Sequence, residues 1–293
     1  MKTFEKIGLI GRSRHGGSAL TMQRLMQLLK RRGQEVLVEK RLVKLLDNGG
    51  ARVSDRDEIG KTCDLAIVVG GDGSMLSAAR DMSQHNTPVL GVNRGRLGFL
   101  TDISPDEIES KVAAVLDGEY EEEERFLLEV VVTRDGKETG RADAFNDVVV
   151  NSGTSARMIE FDLHIDDSFV YRQRSDGLIV ATPTGSTAYS LSGGGPIMHP
   201  ALDAIVLVPM FPQTLSSRPI AVGGNSRIRI EIVTSDRIRP SVTCDGQVNM
   251  KVRPGDLVEV YKKAYRLRLI HPLDHDFYAS CRDKLHWSMA LVE

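Results

Sequence analysis

Cysteine is scarce in this chain. Cys63, Cys244 and Cys281 are the only three in 293 residues. Odd in number and far apart, they fit neither a disulfide framework nor a zinc pattern, and a reducing compartment is expected. A dominant charge is lacking too: 38 basic residues against 40 acidic ones leave a net charge of −2. No basic field therefore recommends nucleic acid or an anionic membrane as partner. Long apolar runs are missing. The longest, Ala204 to Phe211, is far shorter than the roughly 20 residues a membrane-crossing helix needs. The opening Met1-Lys2-Thr3-Phe4-Glu5-Lys6 has no apolar signal-peptide core, so the cytoplasm is the expected location. Internal repeats and low-complexity segments are absent as well. The remaining composition, 41% hydrophobic and 27% charged, is that of a folded globular protein. The length suits one large domain or two ordinary ones.

Up to about residue 120, strand and helix signals alternate. KIGLIG, EVLVE and DLAIVVGG read as strands, the last continuously apolar as a strand buried on both faces should be. SMLSAARDM reads as a helix and TPVLGVN as a further strand. Ser104-Pro105-Asp106-Glu107 has the spacing of a capping box that opens another helix. This alternation predicts a parallel sheet flanked by helices. The acidic run Glu121 to Glu124 reads as a solvated linker. Beyond it come short strands separated by turn signals, from FLLEVVVTRDG to LVEVYKK and YRLRLIHP, several alternating polar and apolar residues. DFYASCRDKLHWSMALVE reads as a helix that packs back on the first domain, with Trp287 as a packing anchor. The expected organisation is an α/β domain over residues 1–124, joined by 276–293, and an all-β domain over residues 125–275.

Within the first domain, VVGGDGSML runs from a buried strand through three glycines into a helix. Such a loop lies at the C-terminal edge of a parallel sheet, where open α/β sheets bind ligands. Its glycines and helix N-terminus suit phosphates. Asp72, in the middle, would repel a bare polyphosphate; it makes sense facing a metal ion that bridges phosphates, or a hydroxyl about to attack one. Asp-Gly is also a common turn step, and the chain has it five times, at Asp72, Asp117, Asp135, Asp176 and Asp245. The step at Asp135 reads as a hairpin only. No dinucleotide fingerprint or P-loop occurs. The second informative stretch, DGLIVATPTGSTAYSLSGGGP, follows a strand with seven hydroxyl side chains and five glycines, which suits a surface wrapping a polar, nucleotide-like ligand. A nucleophilic serine is disfavoured, because Gly-x-Ser-x-Gly is absent.

With both stretches in hand, the chain resembles the NAD kinases, which phosphorylate NAD to NADP with ATP. The resemblance covers nearly the whole chain. It rests on GGDG at Gly70 to Gly73, FND at Phe145 to Asp147, Asp176-Gly177, TPTGSTAYSLSGGGP at Thr182 to Pro196, and CDGQ at Cys244 to Gln247. GGDG alone is shared with lipid kinases; the TPTGSTAYS run is much more specific. It implies a Rossmann-like α/β domain, a sandwich-like second domain, Mg²⁺ or Mn²⁺ with ATP as phosphoryl donor, and a homo-oligomer, dimer or tetramer. Asp72 is then the catalytic group that orients the 2′-hydroxyl of the adenosine ribose and takes its proton, with Gly73 letting the chain pass close to the ligand. Asn146 and Asp147 match the pair that contacts ribose and adenine, although many members carry glutamate at the second position. Arg174 and Asp176 flank the nicotinamide end. Thr187, Ala188, Tyr189 and Ser192, with Ser190 and Leu191 between them, line the adenine and nicotinamide pockets. Arg157 and Gln247 are further candidate contacts, and Arg12 or Arg14 in GRSRHGGS are candidates for ATP phosphates. No metal ligand is assigned. His271 and His275, four apart beside Asp274 and Asp276, hint at a metal, but Pro272 speaks against one helix across them and they read as structural. The alternatives are a GGDG-type lipid kinase, which would need an apolar groove, and a dinucleotide-binding sensor without chemistry, which would not need Asp72.

Overall fold

The computed structural model describes residues 4–11, 16–45, 51–94, 98–153, 157–233 and 238–287. Arg12 and Arg14 lie outside the described residues. The chain divides into two compact units, residues 1–124 with 265–293, and residues 125–264.

In the first unit, five strands form a parallel sheet: β1 (Lys6–Gly11), β2 (Glu35–Glu39), β3 (Arg52–Ser54), β4 (Leu65–Val69) and β5 (Val89–Val92). Their order is β5-β4-β1-β2-β3. Every residue of β4 is buried, as its unbroken LAIVV requires of a strand covered on both faces. Helices α1 (Gly16–Arg31), α2 (Arg56–Thr62) and α3 (Asp72–Ser83) follow strands in turn. α1 ends on Lys30 and Arg31, cations that complement the negative end of its dipole. Leu25, Leu28 and Leu29 of α1 join Leu9, Ile67 and Val92 in this unit's core.

Two expectations change here. The helix predicted from Ser104 starts only at Ile108, as one π-type turn that leads into α4 (Ala113–Leu116). Ser104 does bind Glu107, its N–H and hydroxyl both donating to the same carboxylate oxygen, but this link closes a turn ahead of the helix. The acidic run is not a linker either. It begins β6 (Tyr120–Arg134), where Arg268 pairs with Glu122 and Arg266 with Glu124.

In the second unit β6 continues, and its partner β7 (Lys137–Ala144) is antiparallel. There follow β8 (Asp147–Asn151), β9 (Ile159–Ile165), β10 (Ser168–Ser175), β11 (Gly177–Ala181), the short helix α5 (Tyr189–Ser192), β12 (Ala204–Met210) and β13 (Ile220–Gly223). Last come β14 (Ile228–Ile232), β15 (Ser241–Cys244), β16 (Val248–Lys251) and β17 (Leu257–Pro272). One antiparallel sheet has the order β13-β12-β11-β8-β15-β16, and β10-β9-β14-β17 form a second layer. Inward residues of both, such as Val148, Val180 and Leu207 against Phe161, Ile230 and Val258, share one core, as in a sandwich. The opposite face of the first sheet is also covered, with Met198 packed on Ile179, Val206 and Val208. The Thr182 to Pro200 segment thus lies along that sheet.

LVEVYKK and YRLRLIHP are a single strand, β17. The division between units falls inside it, at residues 264 and 265, ahead of the break expected at 275–276. Its last part runs parallel to β5, pairing Leu269 with Val89 and Ile270 with Leu90. The final helix α6 (Phe277–Leu285) belongs to the first unit. Trp287 beyond it is 43% exposed and is not the expected anchor. All three cysteines are free and buried. Among the described residues, no helix is long and apolar enough to cross a membrane.

Candidate active site

In the first unit, Asp72 is the first residue of α3, with Gly71 as N-cap. The helix thus starts two residues before the expected Ser74. Asp72 is half-buried, and its carboxylate sits at the positive end of the helix, a placement worth about 0.3–1 kcal/mol. Oδ2 accepts from the N–H of Phe99 at 3.1 Å and Oδ1 from that of Leu100 at 3.1 Å. Gly98 makes this approach possible: a Cβ there would stand 2.0 Å from Asp72 Oδ1. The turn is braced from behind by buried Thr101, whose hydroxyl oxygen accepts from Gly98 N–H at 3.0 Å and from Asn93 Nδ2 at 2.8 Å. Each carboxylate oxygen has two acceptor directions, so one backbone bond apiece leaves capacity for a ligand hydroxyl. Gly73 follows on the exposed helix start.

In the second unit, β11, β8 and β15 are neighbours, with Ala181 opposite Asp147 and Val148 opposite Cys244. The end of β11, the start of β8 and the end of β15 therefore share one sheet edge. This brings together FND, TPTG and CDG, which are distant in sequence. Asp245 accepts from the N–H groups of Phe145 at 3.0 Å, Asn146 at 2.8 Å and Asp147 at 3.3 Å. The Thr182 hydroxyl donates to the Phe145 carbonyl at 2.7 Å. At Gly185 a Cβ would meet the Asn146 carbonyl oxygen at 2.1 Å, so only glycine lets these turns close. With its backbone so fixed, Asn146 keeps a buried Oδ1 that has no partner among the described residues. Asp147 is 4% exposed; burial, and secondly the charge of Asp245, push its carboxyl up to about 7.

From this edge the chain runs through a short 3₁₀ turn, Thr184–Thr187, into α5. Thr187, Ala188 and Leu191 are half-buried, and Tyr189 and Ser192 are exposed. Ser190 is fully buried, and its hydroxyl has no partner among the described residues. Tyr189 and Ser192 line a groove of about 300 Å³ with Phe211 and Arg218. Gln247 is exposed in the turn after Asp245.

Arg157, Arg174 and Asp176 are not in this group. Asp176 lies before β11, at the end where Gly177 pairs with Asn151. At about 3.3 Å per residue, β11 separates it from Ala181 by roughly 15 Å. Arg174 is exposed on β10 without an ion-pair partner among the described residues, whereas Arg172, on the same face, pairs with Asp162 at 2.7 Å. Arg157 is exposed just after undescribed residues 154–156.

Sequence reasoning missed Gly98, the clamping role of Asp245, and Phe211 with Arg218. The last two carry no motif. Gly98 and Asp245 act on backbone far away in the chain, 26 residues from Asp72 and 99 from Asn146. The signals for Asp245 were its Asp-Gly step and its place in CDGQ, neither of which told that it clamps the backbone of Asn146.

Among the described residues, no three metal-ligating side chains gather around Asp72. Such a donor set does not fit an ion held by the protein alone; Mg²⁺ and Mn²⁺ commonly bind through nucleotide phosphates with one or two carboxylates.

Residues 7–120 match the ATP-NAD kinase N-terminal domain, and residues 145–272 the ATP-NAD kinase C-terminal domain. The chain belongs to the ATP-NAD kinase family. An NAD kinase of Chromohalobacter salexigens is 56% identical over 293 residues, covering all of both chains. One from Ectopseudomonas mendocina is 56% identical over 291 residues, 99% of each. Among solved structures, a yeast NADH kinase complexed with NADH is 25% identical with a TM-score of 0.90, over 100% of this chain and 91% of that one. An Archaeoglobus fulgidus NAD kinase in complex with ATP is 27% identical with a TM-score of 0.68, over 92% and 94%. For an ATP-NAD kinase, the α/β unit and the mostly β unit are the architecture of these relatives.

Proposed function

We propose that this protein transfers the γ-phosphoryl group of ATP to the 2′-hydroxyl of the adenosine ribose of NAD, giving NADP and ADP. The observation that carries the reading is Asp72, a carboxylate fixed by two backbone N–H groups at the start of α3 with acceptor capacity left over. The hydroxyl oxygen forms a bond to the γ-phosphorus, the bond to the β,γ-bridging oxygen breaks, and the hydroxyl proton passes to Asp72. Asp72 is a weak base, but phosphoryl transfer proceeds through a loose transition state in which positioning outweighs proton removal. The helix N-terminus and the glycines beside it suit the phosphates.

Asn146 and Asp147 bind ribose and adenine in this reading. The unpartnered Asn146 Oδ1 supplies an acceptor, and Asp147, with a carboxyl titrating near neutrality, supplies a donor or an acceptor. Thr187 to Ser192 line the pockets, Ser190 offering its unpartnered hydroxyl. Arg174 and Asp176 meet the nicotinamide end, and Arg157, Gly73 and Gln247 are outer contacts. Mg²⁺ or Mn²⁺ arrives with ATP. The protein works in the cytoplasm as a dimer or tetramer, for which exposed Phe211 (76%) and Leu215 (95%) offer apolar surface; light scattering checks the assembly.

The test is incubation with Mg-ATP and NAD, scoring NADP with an NADP-specific dehydrogenase, beside Asp72→Asn. Wild type is expected to make NADP and the variant to make almost none. Phosphorylation of a lipid without any NADP overturns the reading.

A further inference from the structure

The sequence set His271 and His275 beside Asp274 and Asp276, but neither acid joins them. Asp274 pairs with Lys111 at 2.9 Å, and Asp276 caps α6 by accepting from Tyr278 N–H at 2.8 Å. The carboxylate between the two imidazoles is Asp102, from the segment after β5. His271 lies near the end of β17, and a turn in which His275 N–H donates to the Pro272 carbonyl at 3.0 Å brings the second ring alongside the first. The rings stack with centroids 4.0 Å apart. His271 Nδ1 is 2.5 Å from Asp102 Oδ2 and His275 Nδ1 is 3.2 Å from Oδ1. All three groups are largely buried, at 4%, 14% and 12% side-chain exposure for His271, His275 and Asp102.

We propose that Asp102, His271 and His275 form a binding site for a borderline divalent transition ion such as Zn²⁺ or Co²⁺, coordinated by the carboxylate and both Nδ1 atoms. This site is separate from the hard cation that accompanies ATP, because imidazole nitrogen selects zinc and cobalt over magnesium.

Three observations support it. First, Nε2 of His271 faces Glu123 Oε2 at 3.3 Å. This contact sets a second carboxylate behind the imidazole, on the side away from Asp102. A carboxylate that holds the outer nitrogen of a ligating histidine is a recurrent support of metal sites. Second, His271 Nδ1 and Asp102 Oδ2 are 2.5 Å apart, a contact that either a proton or a metal ion between them satisfies. Third, two face-to-face imidazoles repel if both carry a proton, whereas one dication serves both rings and the carboxylate together. Tetrahedral bonds of about 2.0–2.2 Å space donors about 3.3 Å apart. The His275 contact already has that spacing, and the three donor atoms all lie within 4.8 Å of one another.

The test uses the full, tag-free chain stripped with EDTA and titrated with Co²⁺, read by visible absorption, followed by Zn²⁺ competition. One equivalent of Co²⁺ is expected per chain, with an intense four-coordinate spectrum that Zn²⁺ abolishes. His275→Gln and Asp102→Asn are expected to weaken uptake at least tenfold; His199→Gln, at a remote exposed histidine, leaves it unchanged. Circular dichroism of the stripped variants verifies that they are folded. Because His271 is 3% exposed and its removal risks the fold, the more accessible His275 carries the decision. Wild type without a stoichiometric spectrum, or a folded His275→Gln that binds as wild type does, overturns the proposal and leaves a hydrogen bond between His271 Nδ1 and Asp102 in its place.

Discussion

Asp72 and Asp245 open the same two-letter step, Asp-Gly, and the two units use them differently. Both carboxylates capture backbone N–H groups from a turn remote in sequence. Asp72 takes two, from Phe99 and Leu100, and stays half-exposed on a helix N-terminus. Asp245 takes three, from Phe145, Asn146 and Asp147, and its capacity goes into building the turn that carries Asn146. Its own backbone is at φ 52° with Gly246 at φ 63°, the left-handed pair of a tight hairpin turn between β15 and β16. One aspartate is thus held by its surroundings with acceptor capacity left over; the other holds its surroundings.

If that contrast is right, replacing the two residues should fail in different ways. Asp72→Asn is expected to lower kcat by about 10²–10⁴-fold, the range of a lost general base, with the melting temperature little changed. Coupled NADP assays and calorimetry check both halves, and a variant of full activity would break the comparison. Asp245→Ala leaves three backbone donors without their acceptor, at about 1–3 kcal/mol for each one buried. It should melt several degrees lower and raise KM for NAD about tenfold, with kcat at saturating NAD nearly kept. A collapse of kcat with normal KM would place Asp245 in the chemistry instead.

Gly98→Ala sharpens the case for Asp72, because the new Cβ would meet Oδ1 at 2.0 Å. A fall in kcat of up to about a hundredfold is expected, the cost of a displacement of roughly 1 Å. The smallest effect concerns Asp147. Its carboxyl is pushed from 3.8 up to about 7, so in that interval the folded protein keeps a proton that the unfolded chain has released. Stability then falls as pH rises from about 4 to 7 and levels off above. Asparagine has no such term, so the melting temperature of Asp147→Asn relative to wild type should climb by several degrees over that interval. A constant difference would show that Asp147 titrates as an ordinary exposed acid.

The five Asp-Gly steps show what a sequence reveals and what it withholds. The step at Asp135 is a hairpin turn between β6 and β7, as expected, with φ 49° and 74° at its two residues. Asp117 pairs with Arg32 behind α4, and Asp176 sits between β10 and β11. Asp72 was legible because LAIVV before it can only be a buried strand and the periodic residues after it a helix. The parallel alternation and the β-rich second half were legible for the same reason, that periodicity reports burial. Polar elements were not. KETGRADA, now β7, fully buries only Ala144 and carries little alternation, and the acidic start of β6 depends on arginines more than 140 positions later. Contacts of this range decided Gly98, the role of Asp245 and the choice of Asp102 over its acidic neighbours.

The late return of the chain into its first unit sets an order of events at the ribosome. β5 emerges early, but the strand that covers its outer edge, around Leu269, follows about 180 residues later. At about 5–20 residues per second, that edge waits roughly 10–35 s. An unpaired apolar edge is a template for wrong partners. During each round of synthesis the nascent first unit is therefore open to aggregation until the second unit has been completely made.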